Sequence, residues 1–187
     1  MRSKRGQRPS APGPSHDEKT AALIRVDHAG EYGAVRIYEG QLAVFRAQAR
    51  KSKAVTAIQR MSQQEQTHLK AFDKLINERR VRPTLLEPVW RIAGFTLGAA
   101  TALMGEKTAM ACTAAVEEVI DDHYARQLPK LGKDAELKTA VAQFRADEIA
   151  HRDEALAHGA EDAPGYKILS EAIKAGCRLA IRLSERL

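Results

Sequence analysis

Apolar residues recur at intervals of three and four along most of this chain, the spacing of one helix face. One seam runs through Ile58, Met61, Glu65, His68, Phe72 and Leu75, and a second through Leu137, Val141, Phe144, Glu148, His151 and Ala155. The pattern predicts helices over about 18–50, 53–80, from Pro88 through Leu103, 106–128, 134–158, and from Gly165 to the last residue. Pro83, Pro88, Pro129, Gly132, Gly159, Pro164 and Gly165 fall between them, so Pro and Gly are expected to supply the breaks. Helix formers dominate the 187 residues. The expected class is all-α.

Residues 1–16 carry no periodicity. They hold Pro9, Pro12 and Pro14, four basic side chains and no acid, and read as a disordered basic arm before one domain over 17–187. The net charge of +6 is concentrated at the ends: residues 17–166 have 21 basic and 22 acidic side chains, residues 167–187 five and two. A neutral body argues against a nucleic-acid-binding face, and a basic end suits anionic lipid equally well. The first 20 residues lack the apolar run of a secretory signal, although an Arg-rich start is also compatible with a transit segment. Cys112 and Cys177 sit among apolar residues and are expected to be reduced, buried thiols. The longest apolar stretch, 92–105, is short and rich in Gly and Ala for a membrane span.

The two main seams are each interrupted twice, in the same way. Glu65-Gln-Thr-His68 and Glu148-Ile-Ala-His151 are the only Glu-x-x-His segments, and each puts a carboxylate and an imidazole where apolar residues belong. A buried charge without a partner costs several kcal/mol, so such groups are paired or bind metal. Each motif also follows a glutamate on an earlier helix, Glu31 by 34 residues and Glu117 by 31. Glu31 shares its seam with Ala34, Tyr38, Leu42 and Phe45. The fourth helix offers two neighbours, Glu117 and Glu118. Glu117 shares its face with Met110, Ala114, Asp121, Tyr124 and Leu128, and Glu118 with Ala111, Ala115 and Asp122. Glu117 is chosen partly because Tyr124 lies seven residues beyond it, as Tyr38 lies seven beyond Glu31.

Glu plus Glu-x-x-His, twice, is the ligand set of a two-metal carboxylate centre in a four-helix bundle. Mixed carboxylate and imidazole donors without thiolate favour iron or manganese over structural zinc. Glu65 and Glu148 are expected to bridge, with Glu31 and Glu117 terminal and His68 and His151 on one metal each. Asp147 is expected to orient a ligand histidine. Gln64 occupies the matching place in the other motif, which argues against strict symmetry there. His123 is a candidate for the site rim; His16, His28 and His158 are read as ordinary.

Arg25-Val-Asp-His-Ala-Gly-Glu-Tyr-Gly-Ala34, Glu65-Gln-Thr-His-Leu69, Ala111-Cys-Thr-Ala-Ala-Val-Glu-Glu118, the Glu148–His151 motif and the stretch from Ala175-Gly-Cys177 to Leu183-Ser-Glu-Arg-Leu187 closely resemble the demethoxyubiquinone hydroxylase family. The resemblance runs from about residue 20 to the end. It implies a ferritin-like four-helix bundle with two additional helices, the third as crossover and the sixth at the C-terminus. It also implies a di-iron monooxygenase that hydroxylates the ring of a demethoxy polyprenyl benzoquinol with O2 and electrons from NADH. Its ligand pattern falls on Glu31, Glu65, His68, Glu117, Glu148 and His151, in favour of Glu117 over Glu118. A long-tailed substrate implies a peripheral enzyme on the cytoplasmic face of a bacterial inner membrane, or alternatively the matrix face of the mitochondrial one. A second copy of the chain and a partner protein of ubiquinone biosynthesis are candidate partners.

The third helix (Trp90, Ile92, Phe95, Leu97, Leu103) and the sixth (Ile168, Leu169, Ile173, Leu183, with Lys167, Lys174, Arg178 and Arg182) have the apolar face and flanking cations of an interfacial helix. Packing against the bundle would give the same pattern. Tyr124 is expected to relay an electron and a proton. Two rivals remain at this level: an iron oxidase or peroxidase on the same ligands, and a non-enzymatic lipid or quinone carrier. The absence of a CxxC pair argues against a rubrerythrin-like oxidase. A carrier leaves the buried Glu and His unexplained.

Overall fold

The computed structural model describes residues 16–187, with side chains from Glu18 onward, so the expected arm lies outside it but for the backbone of His16. Six α-helices follow in order: α1 (His16–Ala47), α2 (Lys53–Glu78), α3 (Glu87–Leu103), α4 (Glu106–Gln127), α5 (Ala135–Ala157) and α6 (Tyr166–Ser184). Short 3-10 turns at Leu128–Lys130 and Ala160–Asp162 link the last three. No strand occurs among the described residues. The architecture is the all-α, ferritin-like bundle of α1, α2, α4 and α5 with two additional helices.

Local chemistry sets the boundaries. Ser52 caps α2 by accepting the Val55 N–H at 3.1 Å, and Asp134 caps α5 by accepting that of Leu137 at 3.2 Å. Gly159 stops α5 in the left-handed region, φ 82°. The first break departs from expectation. Neither Gly nor Pro separates α1 from α2. Ala49 turns the chain at φ 49°, and the Arg50 N–H closes on the Phe45 carbonyl at 2.9 Å. That capped turn ends α1 at Ala47, three residues before the expected limit.

α1 packs most extensively on α3 and α2, and α4 on α5 and α6. The chain is thus two three-helix units, α1–α3 and α4–α6. The crossover α3 lies back along α1, and α6 does the same on α4. The α1–α3 contact depends on glycine: a Cβ on Gly98 would stand 1.9 Å from the Ile37 carbonyl oxygen, and one on Gly40 2.2 Å from that of Phe95. These helices touch backbone to backbone, which no side chain would permit.

Two apolar clusters fill the bundle. One gathers Tyr38, Phe45, Ile58, Met61 and Met110. The other gathers Ile24, Phe72, Tyr124, Leu137 and Val141. On α2 and α5 the polar pairs Glu65–His68 and Glu148–His151 fall between them.

α3 leaves apolar residues on the surface: Ile92 is 66% exposed, Leu103 68% and Phe95 42%. On α6 the bundle-packing alternative holds. Ile173 is buried, Leu169 packs on the core, and Lys174 is held by Glu118 at 2.7 Å, so this helix turns most of its apolar face inward and leaves Ile168 and Leu179 outside. No described helix is long and apolar enough to cross a membrane.

Candidate metal centre and adjoining cavity

The bundle brings the six expected residues together at its centre. Glu31, Glu65, Glu117 and Glu148 have no exposed surface, and His68 and His151 retain 2% each. Ligand atoms of Glu31, Glu65, His68 and Glu148 lie within 4.8 Å of one another, and so do those of Glu65, Glu117, Glu148 and His151. Glu65 and Glu148 belong to both groups, where bridging residues must be. His68 Nδ1 is 3.2 Å from Glu148 and 3.5 Å from Glu31. His151 Nδ1 is 3.0 Å from Glu65 and 3.5 Å from Glu148. Glu118, the rejected neighbour, points outward to Lys174.

Two cations would fit this chemistry. Both carboxylate oxygens of Glu65 and of Glu148, Oε2 of Glu31 and of Glu117, and Nδ1 of each histidine are buried without a hydrogen-bond partner. Buried polar atoms are almost always satisfied, and here eight orphans converge. Their electrostatics agree. Burial, then repulsion by Glu148, Glu31 and Glu117, holds the Glu65 carboxyl well above its ordinary range. Burial, then Glu148, does the same to Glu117. Burial raises Glu148 against the pull of His68. Burial disfavours the charged form of His68, but the carboxylates of Glu148 and Glu31 close to it outweigh this and push it up to about 10. His151 is lowered, burial winning over Glu117. Without a cation the carboxylates must share protons; a pair of dications removes that need.

A surrounding layer holds the ligands. His68 Nε2 meets Asp147 at 3.1 Å, as expected. A carboxylate only accepts, so Nε2 carries the proton and Nδ1 is left free to ligate. His151 Nε2 meets the Gln64 carbonyl oxygen at 3.1 Å. The matching place is therefore used in both halves, by an acid in one and an amide in the other. The tyrosines cross over. Tyr38 Oη donates to Glu117 Oε1 at 2.6 Å and Tyr124 Oη to Glu31 Oε1. A tyrosine seven residues from a glutamate on its own helix is about 10 Å away along the axis, so it reaches the other unit's glutamate instead. Burial, then the neighbouring glutamate charge, raises both phenols well above their usual range, and both stay protonated donors.

Sequence reasoning missed the partners Gln64 and Tyr38 and the buried Asp27. Asp27 accepts from Gln127 at 2.5 Å and pairs with His123 at 3.0 Å. His123 therefore faces Asp27, and His28 faces Asp73. The signal available was the repeated spacing Glu-x6-Tyr-x2-Gln, from Glu31 to Gln41 and from Glu117 to Gln127.

A cavity of about 510 Å³ lies between α1, α3, α4 and α6. Gly30, Ile37, Trp90, Val116 and Ile173 help form its almost wholly apolar wall. Gly30 and Val116, which line it, are chain neighbours of Glu31 and Glu117. Cys177 also lines it, and burial pushes its thiol up to about 11 and that of Cys112 up to about 12. Both cysteines are free.

Comparison with known proteins gives the same direction. Residues 18–184 match the family described as ubiquinone biosynthesis protein COQ7. The 3-demethoxyubiquinol 3-hydroxylase of Rhodospirillum rubrum is 55% identical over 176 residues, 91% of this chain and 82% of that protein. The NADPH-dependent 3-demethoxyubiquinone 3-hydroxylase, mitochondrial, of Mus musculus is 51% identical over 169 residues, 88% of this chain and 76% of that one. The 5-demethoxyubiquinone hydroxylase, mitochondrial, of Saccharomyces cerevisiae is 41% identical, with 88% and 77% covered. The chain belongs to the COQ7 family of ubiquinone biosynthesis, a family of hydroxylating oxidoreductases.

Proposed function

We propose that this protein is a di-iron monooxygenase that hydroxylates the ring of a demethoxy polyprenyl benzoquinol, with O2 as co-substrate and NADH as electron source. One observation carries the reading: eight orphaned, buried ligand atoms converge at the bundle centre, and the helices that carry Glu31 and Glu117 also line a large apolar cavity. Glu31 and His68 would hold one iron, Glu117 and His151 the other, and Glu65 and Glu148 both. Bound there, iron supplies the reduction and activation of oxygen.

The chain's own residues do the rest. The cavity receives the ring and the start of its tail and keeps water from the cluster. Asp147 and Gln64 fix which nitrogen of each imidazole carries the proton. Tyr38 and Tyr124 hold the terminal glutamates by donating to them. Tyr124 Oη, on Glu31, is the proposed relay for an electron and a proton. α3 and α6 both line the cavity, and the exposed Ile92, Phe95 and Leu103 on α3 form the surface proposed to lie on the membrane, on the cytoplasmic face of a bacterial inner membrane or the mitochondrial matrix face.

Iron content of the purified chain, followed by quinone analysis after incubation with a demethoxyquinol, O2 and either NADH or NADPH, tests this. Two irons per chain and a hydroxylated product are expected. Iron uptake with oxidase activity but no quinone product would favour an iron oxidase. NADH oxidation is expected to depend on added quinone and to slow in Tyr124→Phe with iron retained; equal rates would remove Tyr124 from the route.

A further inference from the structure

The two units present the cluster with a matching inner layer and unlike outer ones. Glu31 and His68 correspond to Glu117 and His151. Tyr124 on Glu31 corresponds to Tyr38 on Glu117. Gln127 and Gln41 stand at matching places, and each reaches the residue four positions before a terminal glutamate: Gln127 Nε2 donates to Asp27 at 2.5 Å, and Gln41 Nε2, bonded mainly to the Ala109 carbonyl at 3.1 Å, also reaches Thr113 at 3.5 Å. The correspondence fails at two places. Asp27 stands where the other unit has Thr113, and Asp147 behind His68 stands where the other has Gln64 behind His151. Both differences put an acid on the Glu31–His68 side and a neutral group on the other.

These differences act in one direction. A carboxylate that accepts an imidazole N–H raises the basicity of the opposite nitrogen and adds negative charge near the cation. An amide carbonyl fixes the same tautomer without that charge. Asp147 is the larger contributor. Its side chain is 27% exposed, and apart from His68 it accepts only a weak 3.3 Å bond from Gln143. The charge of Asp27 is met locally by His123 and Gln127, so it adds less.

Resting on the two-metal reading above, we infer that the two positions are unequal: the one formed by Glu31 and His68 binds a divalent cation more tightly than the one formed by Glu117 and His151, and fills first. Asp147 is the positioning residue that sets the difference.

Titration of the metal-free full-length chain with Mn2+, followed by calorimetry and electron paramagnetic resonance, tests this without turnover. The first equivalent should give an isolated Mn2+ spectrum and the second an exchange-coupled pair, with affinities roughly tenfold or more apart. Asp147→Asn should weaken the tighter step by roughly 10- to 100-fold and the other by much less. Gln64→Glu should tighten the weaker step and narrow the gap. A coupled pair from the first additions would overturn the inference, as would loss of the weaker step in Asp147→Asn. Should Asp147→Asn fail to fold, Gln64→Glu decides: an unchanged weaker step overturns the inference. The outcomes also separate the two claims. Two Mn2+ bound with equal affinity defeat only the inequality, whereas no Mn2+ uptake defeats the metal-centre reading itself.

Discussion

The centre of the bundle and its α3 flank break the inside–outside rule in opposite directions. At the centre, four glutamates and two histidines are buried among apolar residues. On the flank, Ile92 and Leu103 stand more than half exposed. The burial at the centre is costly without a cation, and the exposure on the flank is costly without a cover. Each departure therefore marks a place where the proposed function puts something other than this chain: cations at the centre and a membrane surface on the flank. The centre declares its occupant more fully, because ligand atoms have direction and apolar surface does not.

The largest effect should come from the centre. Glu148 belongs to both candidate ligand groups, so under the proposed function Glu148→Ala should empty both positions and lower product formation by roughly 100-fold or more. Circular dichroism should show helix content largely retained. Full iron in that variant would remove the contrast between centre and flank altogether.

Next comes the seam that joins the flank to the bundle. Gly98→Val forces a side chain against the Ile37 carbonyl, so α3 must lift from α1. A loss of about 3 kcal/mol is expected in chemical denaturation. An unchanged midpoint would mean that α3 is not seated there.

The flank itself is probed by Ile92→Glu combined with Leu103→Glu. Each change should weaken binding to anionic vesicles by about 1.5 kcal/mol while the unfolding midpoint stays put. If stability falls and vesicle binding does not, that face serves packing instead.

The pH dependence of the metal-free protein reads the cost at the centre. Glu65, Glu117 and Glu148 hold their protons above the ordinary value of 4.5, so the folded state binds more protons than the unfolded one above that pH. Their contribution is present at lower pH and is lost as pH rises through their raised values. His68 acts in the same sense, its share lost as pH rises through about 10. His151, lowered from 6.5 by burial, acts the other way, below that value. Thermal unfolding should therefore show falling stability from about pH 5 upward, and Mn2+ should reverse the trend. Stability that rises with pH in the metal-free chain would contradict the crowding of carboxylates.

The smallest effect should distinguish cavity from core. A Cβ added to Gly30 would meet no atom within 4 Å and would enter the cavity. Gly30→Ala should stabilise the helix by about 0.5–1 kcal/mol, yet slow turnover of a long-tailed quinol. Gain in both would show that the substrate lies elsewhere.

Sequence periodicity determined the six helices to within a few residues, because helix seams and Gly or Pro breaks are local properties. It missed the turn at Ala49 because a capped left-handed alanine has no compositional mark. Doubled Glu-x-x-His intrusions and the spacing to Glu31 and Glu117 made the six candidate ligands legible, since burial of a charge is visible as a fault in the seam. What lies behind each ligand was not legible. Tyr124 reaches Glu31 rather than its own helix's Glu117, Gln64 serves His151, and Asp27 lies under His123 and Gln127. Those pairings join residues 87 to 100 positions apart. Only helix packing sets such distances, because periodicity tells which face of a helix is inside and not which side chain of another helix it will meet. The same limit applied to α3 and α6. Both read as amphipathic, and the tertiary structure alone turned one apolar face outward and the other in.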